Sequence, residues 1–400
     1  MFHRLQSFGL LLVAGALTAW IGTKTFRYFT YQNPPVFELK GITQNGTYAR
    51  ITNAAVTAKN GYKISTVKVT LDGKEIMNNR VRAQEFEAPF TIDTVSLMDG
   101  AHTLEVEAVD ASYRHNTTTQ KYTIFVDNKP LRVAFLDPEY VVDQGKTIHL
   151  RIQSNKKLAH AEMKLFATTY NFYPESDEST LYECFVPVSC EERPLEYTVN
   201  VDIQDAVGDK AQLTTKVRVL AFEFKKQHGF TVQESKLSQE KELSMSMKVL
   251  DEALAKWVKE SPRKKGWTGP FEYPISVQRV STPFGEIRMT AERGRYMHKG
   301  IDLINKPKCV VWAAQDGKVI IKDRFFLTGN TVVLDHGLGV FTLYAHLEEY
   351  ADIEVGEMLK KGNPVGKLGM TGYATGYHLH WELRVNNMPV DPVEWTSKVY

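Results

Sequence analysis

The sequence lacks a surplus of either charge. Its 49 basic residues against 47 acidic ones leave a net +2, so no dense basic face is implied and nucleic acid is excluded as a partner. It also lacks a His-Glu-x-x-His motif, which removes the helix-borne zinc site with a glutamate base. One long apolar run is present, and no charge falls between Arg4 and Lys24. The run lies between these two charges, is about 18 residues long and follows a basic start, which is the short edge of a membrane span. No cysteine follows it, which removes lipoprotein anchoring. The small-residue site Ala14-Gly15-Ala16 lies inside the run, so an uncleaved anchor over residues 1–30 is favoured over a cleaved signal peptide. Arg4 against Lys24 and Arg27 does not settle the orientation.

What is present is ordinary folded protein, 43% apolar and 24% charged, long enough for two to four domains. From 35 to 128 short alternating stretches such as Val67, Val69, Leu71 run into turn signals at Asp72-Gly73 and Asp99-Gly100, which predicts a β-sandwich. Residues 131–225 repeat the pattern, with Ile148, Leu150, Ile152 and Tyr197, Val199, Val201 alternating. Cys184 and Cys190 fall in its irregular middle and are expected to bridge in an exported chain. Cys309 is left over among Val310, Val311 and Trp312 and reads as an inert buried thiol. Over 231–262 the period lengthens. Leu243, Met247, Leu250, Leu254 and Trp257 form one helical stripe, Thr231 and Glu234 suit a capping box and Ser261-Pro262 ends it. Packing on the domain that follows is expected. Residues 270–396 are nearly all strand and turn. The fold class is mainly β: an N-terminal helix, two sandwiches, a connecting helix and an antiparallel C-terminal domain.

Histidine gathers in that last domain. In Gly376-Tyr377-His378-Leu379-His380-Trp381-Glu382 the alternation puts His378, His380 and Glu382 on one face of a strand, the imidazoles rooted roughly 7 Å apart. His298 and Asp302 are four apart, but Gly300 breaks the helix that would stack them, so they belong where a loop enters a sheet. His336 is explained by the turn His336-Gly337-Leu338-Gly339. Glu382 either orients a ligand or sits on the polar face of its strand, and the latter is favoured.

His298-x-x-x-Asp302, Tyr344-Ala345-His346-Leu347 and His378-x-His380 together resemble the lysostaphin and LytM type of zinc metallopeptidases that cut peptidoglycan peptides. The framework stretches Ser281-Thr282-Pro283-Phe284-Gly285, Gly329-Asn330-Thr331-Val332-Val333 and Pro389-Val390-Asp391-Pro392 follow in the family's order. The resemblance implies one Zn²⁺ held by His298, Asp302 and His380, with a fourth position left for water. It makes His346 and His378 the catalytic pair, without saying which is the base. Tyr377 departs from the small residue or proline frequent at that position. With Tyr373, Phe325 and Phe326 it is expected to line the groove. The run Pro89-Phe90-Thr91-Ile92-Asp93-Thr94 with Asp99-Gly100-Ala101-His102 resembles bacterial immunoglobulin-like modules.

The implied function is zinc-dependent endopeptidase action on peptidoglycan stem or bridge peptides. It implies a single pass through the cytoplasmic (inner) membrane and a catalytic domain in the periplasm or cell-wall space. The sandwiches read as a stalk, with a wall-protein partner as the alternative. The competing function is a non-hydrolytic scaffold that binds and activates cell-wall amidases. A third reading starts from Val355 to Gly369, which resembles the hybrid motif of lipoyl and biotinyl carriers. It leaves the histidines unexplained and has no Met-Lys-Met acceptor.

Overall fold

In the computed structural model most of the regular structure is strand, with three helices among the described residues, so the mainly β expectation holds. The structure describes residues 2–227, 237–290 and 294–400. The chain divides into two units, residues 1–130 with 206–209, and residues 131–205 with 210–400.

The first unit opens with the helix Phe2–Thr30. The expected membrane span is not supported, because among the described residues no helix is long and apolar enough to cross a membrane. The apolar run is at the lower limit of span length, and the helix continues past it through Thr23, Lys24, Thr25 and Arg27. Two antiparallel sheets follow. Val36–Lys40, Ile51–Lys59 and Glu85–Asp93 form one, and Ile64–Leu71, Lys74–Arg80, Gly100–Asp110 and Thr117–Val126 are the long strands of the other. Their alternating apolar residues, Val56 and Ile92 from one sheet and Val67, Val69, Leu104 and Val106 from the other, bury in one cluster. The turn at Asp72-Gly73 has φ of 50° and 79°, the left-handed pair that a two-residue hairpin requires.

In the second unit a five-stranded and a four-stranded sheet likewise enclose one core, including Leu150, Ile152, Val199, Val201 and Val217. The expected disulfide is not there: Cys184 and Cys190 are free. Cys184 lies in the strand Leu181–Pro187 opposite Leu150 and is part of the apolar core. Cys190 lies in the loop that follows, its Sγ 3.2 Å from where a Cβ on Gly145 would stand. Burial raises both thiol pKa values, that of Cys190 to about 12.

The C-terminal sheet carries the histidines. Along it run Arg279–Thr282, Ile301–Ile304, Leu379–Val385, Val340–Tyr350, Gly329–Asp335 and Gly317–Phe325, each antiparallel to the next. Its strand Leu379–Val385 is buried on both faces. One face presents Leu379, Trp381, Leu383 and Val385 to an apolar core. The other presents His380, Glu382 and Arg384, opposite Ala345, Leu343 and Phe341 in that order.

The helix Leu237–Glu260 covers this second face. Its Leu250 and Leu254 bury against Ile320, Val333, Phe341 and Leu343, which is the packing its apolar stripe predicts. The proposed cap at Thr231 and Glu234 lies outside the described residues.

Candidate metal centre

Two neighbouring strands place two donors directly opposite one another. Asp302 on Ile301–Ile304 pairs with His380 on Leu379–Val385, and side chains at opposed positions of an antiparallel pair share a face. His298 arrives from the loop before, and Gly300 makes that approach possible. A Cβ on Gly300 would stand 2.5 Å from the Trp381 carbonyl oxygen and 3.0 Å from the His380 ring. Backbone cannot yield as a flexible side chain does, so Gly300→Ala is expected to cost about 1–3 kcal/mol of stability. Because the same push separates His298 from His380, the variant should also bind zinc more weakly. Thermal melting and a chelator-competition titration check both effects.

The converging atoms are His298 Nε2, Asp302 Oδ1 and His380 Nδ1. They stand 3.1 Å (His298 to Asp302), 3.1 Å (His298 to His380) and 2.9 Å (His380 to Asp302) apart. Donors on a tetrahedral zinc with bonds of about 2.0–2.1 Å lie about 3.3 Å from one another, so this triangle fits that ion after a slight opening. Among the described residues it is the one group of three or more His, Cys, Asp or Glu side chains close enough to share an ion.

The outward nitrogens are also held. His298 Nδ1 donates to the Pro283 carbonyl at 3.2 Å, and His380 Nε2 to Glu382 Oε1 at 2.9 Å. Each ring therefore turns its other nitrogen inward, towards Asp302. The favoured reading, that Glu382 merely sits on the polar face of its strand, is corrected here: the residue is 3% exposed and is pinned between His380 and the Arg384 guanidinium, whose Nε lies 2.6 Å away. The helix over this face is what removes it from solvent.

Charge matters as much as distance. Burial pushes the Asp302 carboxyl up, but hydrogen bonds from His298 and His380 override it and hold the group well below the usual carboxylate range. Burial pushes His380 down, yet Asp302 and Glu382 hold it up at about 9. The metal-free imidazole thus keeps a proton that an incoming cation displaces.

His346 and His378 stand beside the triangle. Their ring centres are 4.7 Å apart, and His346 is 6.0 Å from His380. His346 reaches this spot through a backbone irregularity. Opposite the strand Gly329–Asp335 the register slips between Asn330 and Val332, and His346 sits at φ 59°. Such bulges re-aim a side chain and are paid for in strain of about 1–3 kcal/mol. Each ring donates Nδ1–H to a backbone carbonyl, His346 to Thr371 and His378 to Gly376, both at 2.8 Å. The other ring nitrogen of His378, Nε2, stands 3.8 Å from Asp302 Oδ1. Burial first, and then the neighbouring His378 and His380, lowers His346 to about 3, so it is neutral. His336 is held elsewhere, by the Asp316 carbonyl and the Thr342 hydroxyl. Tyr377 and Phe326 are both exposed.

Residues 296–392 match the model of peptidase family M23. The chain carries a peptidase M23 domain. All five polar positions of the site fall within the matched stretch, and the helix Leu237–Glu260 falls before it.

The M23 domain is similar to the DD-carboxypeptidase/endopeptidase Mpg of Neisseria meningitidis serogroup B, with 38% identity over 120 residues, 30% of this chain and 27% of that protein. It is similar also to the peptidoglycan DD-endopeptidase ShyC of Vibrio cholerae, with 35% identity over 30% of this chain and 28% of that protein. The match thus spans about a quarter of the length of these relatives. Among solved structures, lysostaphin of Staphylococcus simulans is 27% identical, covering 30% of this chain and 49% of that one with a TM-score of 0.26. The His-Asp-His set and the M23 match support zinc as the ion.

What the sequence reading missed is Arg384, Lys299 and Asp251. The period-2 pattern continues from His380 through Glu382 to Arg384, and that signal was available. Asp251 carries no signal, because it approaches from a helix 129 positions before His380.

Proposed function

We propose that this chain is a zinc-dependent endopeptidase that hydrolyses D,D peptide cross-links of peptidoglycan. His298, Asp302 and His380 are its metal ligands, and His346 and His378 its proton-handling pair. The observation that carries the proposal is the donor triangle with two imidazoles on its rim. Relatives named DD-endopeptidases support the choice of bond. Zinc at this position supplies a Lewis acid and brings the pKa of water towards about 7.

The chain's own groups supply the rest. Nε2 of His346 or His378 takes the proton of the attacking water and returns it to the leaving amine. The other, when it carries a proton on Nε2 as well, donates to the oxygen on which negative charge develops. Their Nδ1–H bonds to Thr371 and Gly376 fix the orientation of both rings. An enzyme with this substrate works in the cell-wall space. A scaffold that only activates amidases has no use for a strained, buried histidine beside three ligands.

The test is digestion of purified peptidoglycan with the zinc-loaded chain, read by mass spectrometry of muropeptides. Cross-linked dimers are expected to fall and monomers to rise, with chelation abolishing the change. Undiminished dimers would overturn the proposal.

A further inference from the structure

The M23 match begins at residue 296, yet the hydrogen-bond chain behind His380 ends well before it. His380 Nε2 donates to Glu382 Oε1 at 2.9 Å, and Arg384 Nε donates to Glu382 Oε2 at 2.6 Å. Arg384 then donates through a terminal nitrogen to Asp251 Oδ1 at 2.6 Å. Asp251 belongs to the helix Leu237–Glu260. Its other oxygen, Oδ2, accepts from Lys299 Nζ at 3.0 Å, and Lys299 follows the ligand His298 in the chain. The Asp251 carbonyl accepts from Asn387 Nδ2 at 2.9 Å, and Asn387 Oδ1 accepts from Arg384 at 3.0 Å. One carboxylate thus holds both segments that bring the imidazole donors together.

We propose that Asp251 is a positioning residue of the metal centre, which couples docking of the helix to metal binding. The argument is geometric and electrostatic. Glu382 and Arg384 are fully enclosed, at 3% and 2% exposure, so their orientation depends on partners rather than on solvent. Asp251 and Glu382 balance Lys299 and Arg384. Removing Asp251 leaves one uncompensated positive charge behind the imidazole that has to accept a dication, and it frees the His298 loop from the His380 strand. Outer partners of metal-bound histidine are worth about 10–100-fold in affinity. Asp251 stands two links further out but grips two segments, so a loss of about 10-fold is expected. Coupling is reciprocal, so zinc must tighten the helix by the same factor.

The inference rests on the ligand assignment made above, and the test separates the two. The full chain, stripped of metal, is titrated with zinc against a chromophoric chelator. Asp251→Ala is expected to weaken zinc about 10-fold, Asp251→Asn by less, and Asp251→Glu to restore part of the loss. Circular dichroism and the metal-free melting temperature report folding independently of the ion. Hydrogen exchange supplies the second readout: zinc is expected to slow amide exchange over residues 246–257 in the wild type and not in Asp251→Ala. A wild type that binds no zinc overturns the ligand assignment. A wild type that binds it while folded Asp251→Ala and Asp251→Asn match its affinity overturns this inference alone, whatever happens to the melting temperature.

Discussion

Replacing His380 with alanine is expected to give a folded chain that binds no zinc and cuts nothing. His380 Nδ1 stands in two of the three edges of the donor triangle, so its loss leaves one imidazole and one carboxylate. Two donors do not make the three-ligand site on which a catalytic zinc depends. The fold is expected to survive because the groups left behind remain paired. Glu382 keeps Arg384 at 2.6 Å, Asp302 keeps His298 at 3.1 Å, and the apolar face of the strand is untouched. Metal content of the purified variant and its digestion of peptidoglycan check the two losses, and circular dichroism checks the fold.

His346→Ala is expected to behave differently. It should hold zinc with the wild-type stoichiometry and turn over about 10²–10⁴-fold more slowly, the range that general acid–base groups contribute. His346 is outside the triangle and points its Nε2 towards the space beside His378. Its backbone φ of 59° offers a control. Alanine keeps the strain of that conformation and glycine releases it, by about 1 kcal/mol. His346→Gly should therefore melt higher than His346→Ala while remaining as slow. A metal-free His346→Ala with an intact fold would show that the ligand and proton-transfer roles have been divided wrongly.

The sequence disclosed the donor cluster better than the way it is held. The family resemblance carried by His298-x-x-x-Asp302 and His378-x-His380 named three donors, and the structure brings their side chains together. Alternating apolar residues disclosed the sheets because a strand's period of two survives whichever strand lies beside it. Three readings went wrong, two of them because the deciding partner is remote in the chain. Glu382 read as merely sitting on the polar face of its strand because the helix carrying Leu250, Leu254 and Asp251 is what covers that face, and nothing local to Glu382 says so. Cys184 looked like half of a disulfide because six-residue spacing says nothing about direction. Its strand sends the thiol into the core opposite Leu150. The apolar run at the N-terminus is helical, as its composition suggests, but Phe2–Thr30 does not reach the apolarity of a span. The bulge that aims His346 was equally hidden, since it arises from the register between two strands.

The most direct test of the account is zinc K-edge absorption spectroscopy on the chain loaded with one equivalent of zinc. The predicted first shell is nitrogen and oxygen at about 2.0–2.1 Å, with multiple-scattering from two imidazoles. The spectrum should be unchanged in His346→Ala, whereas in His298→Ala and His380→Ala, which are expected to lose the ion, it should revert to that of zinc in buffer, without imidazole scattering. A sulfur shell near 2.3 Å, or an imidazole signal lost with His346 and kept without His298, would contradict it.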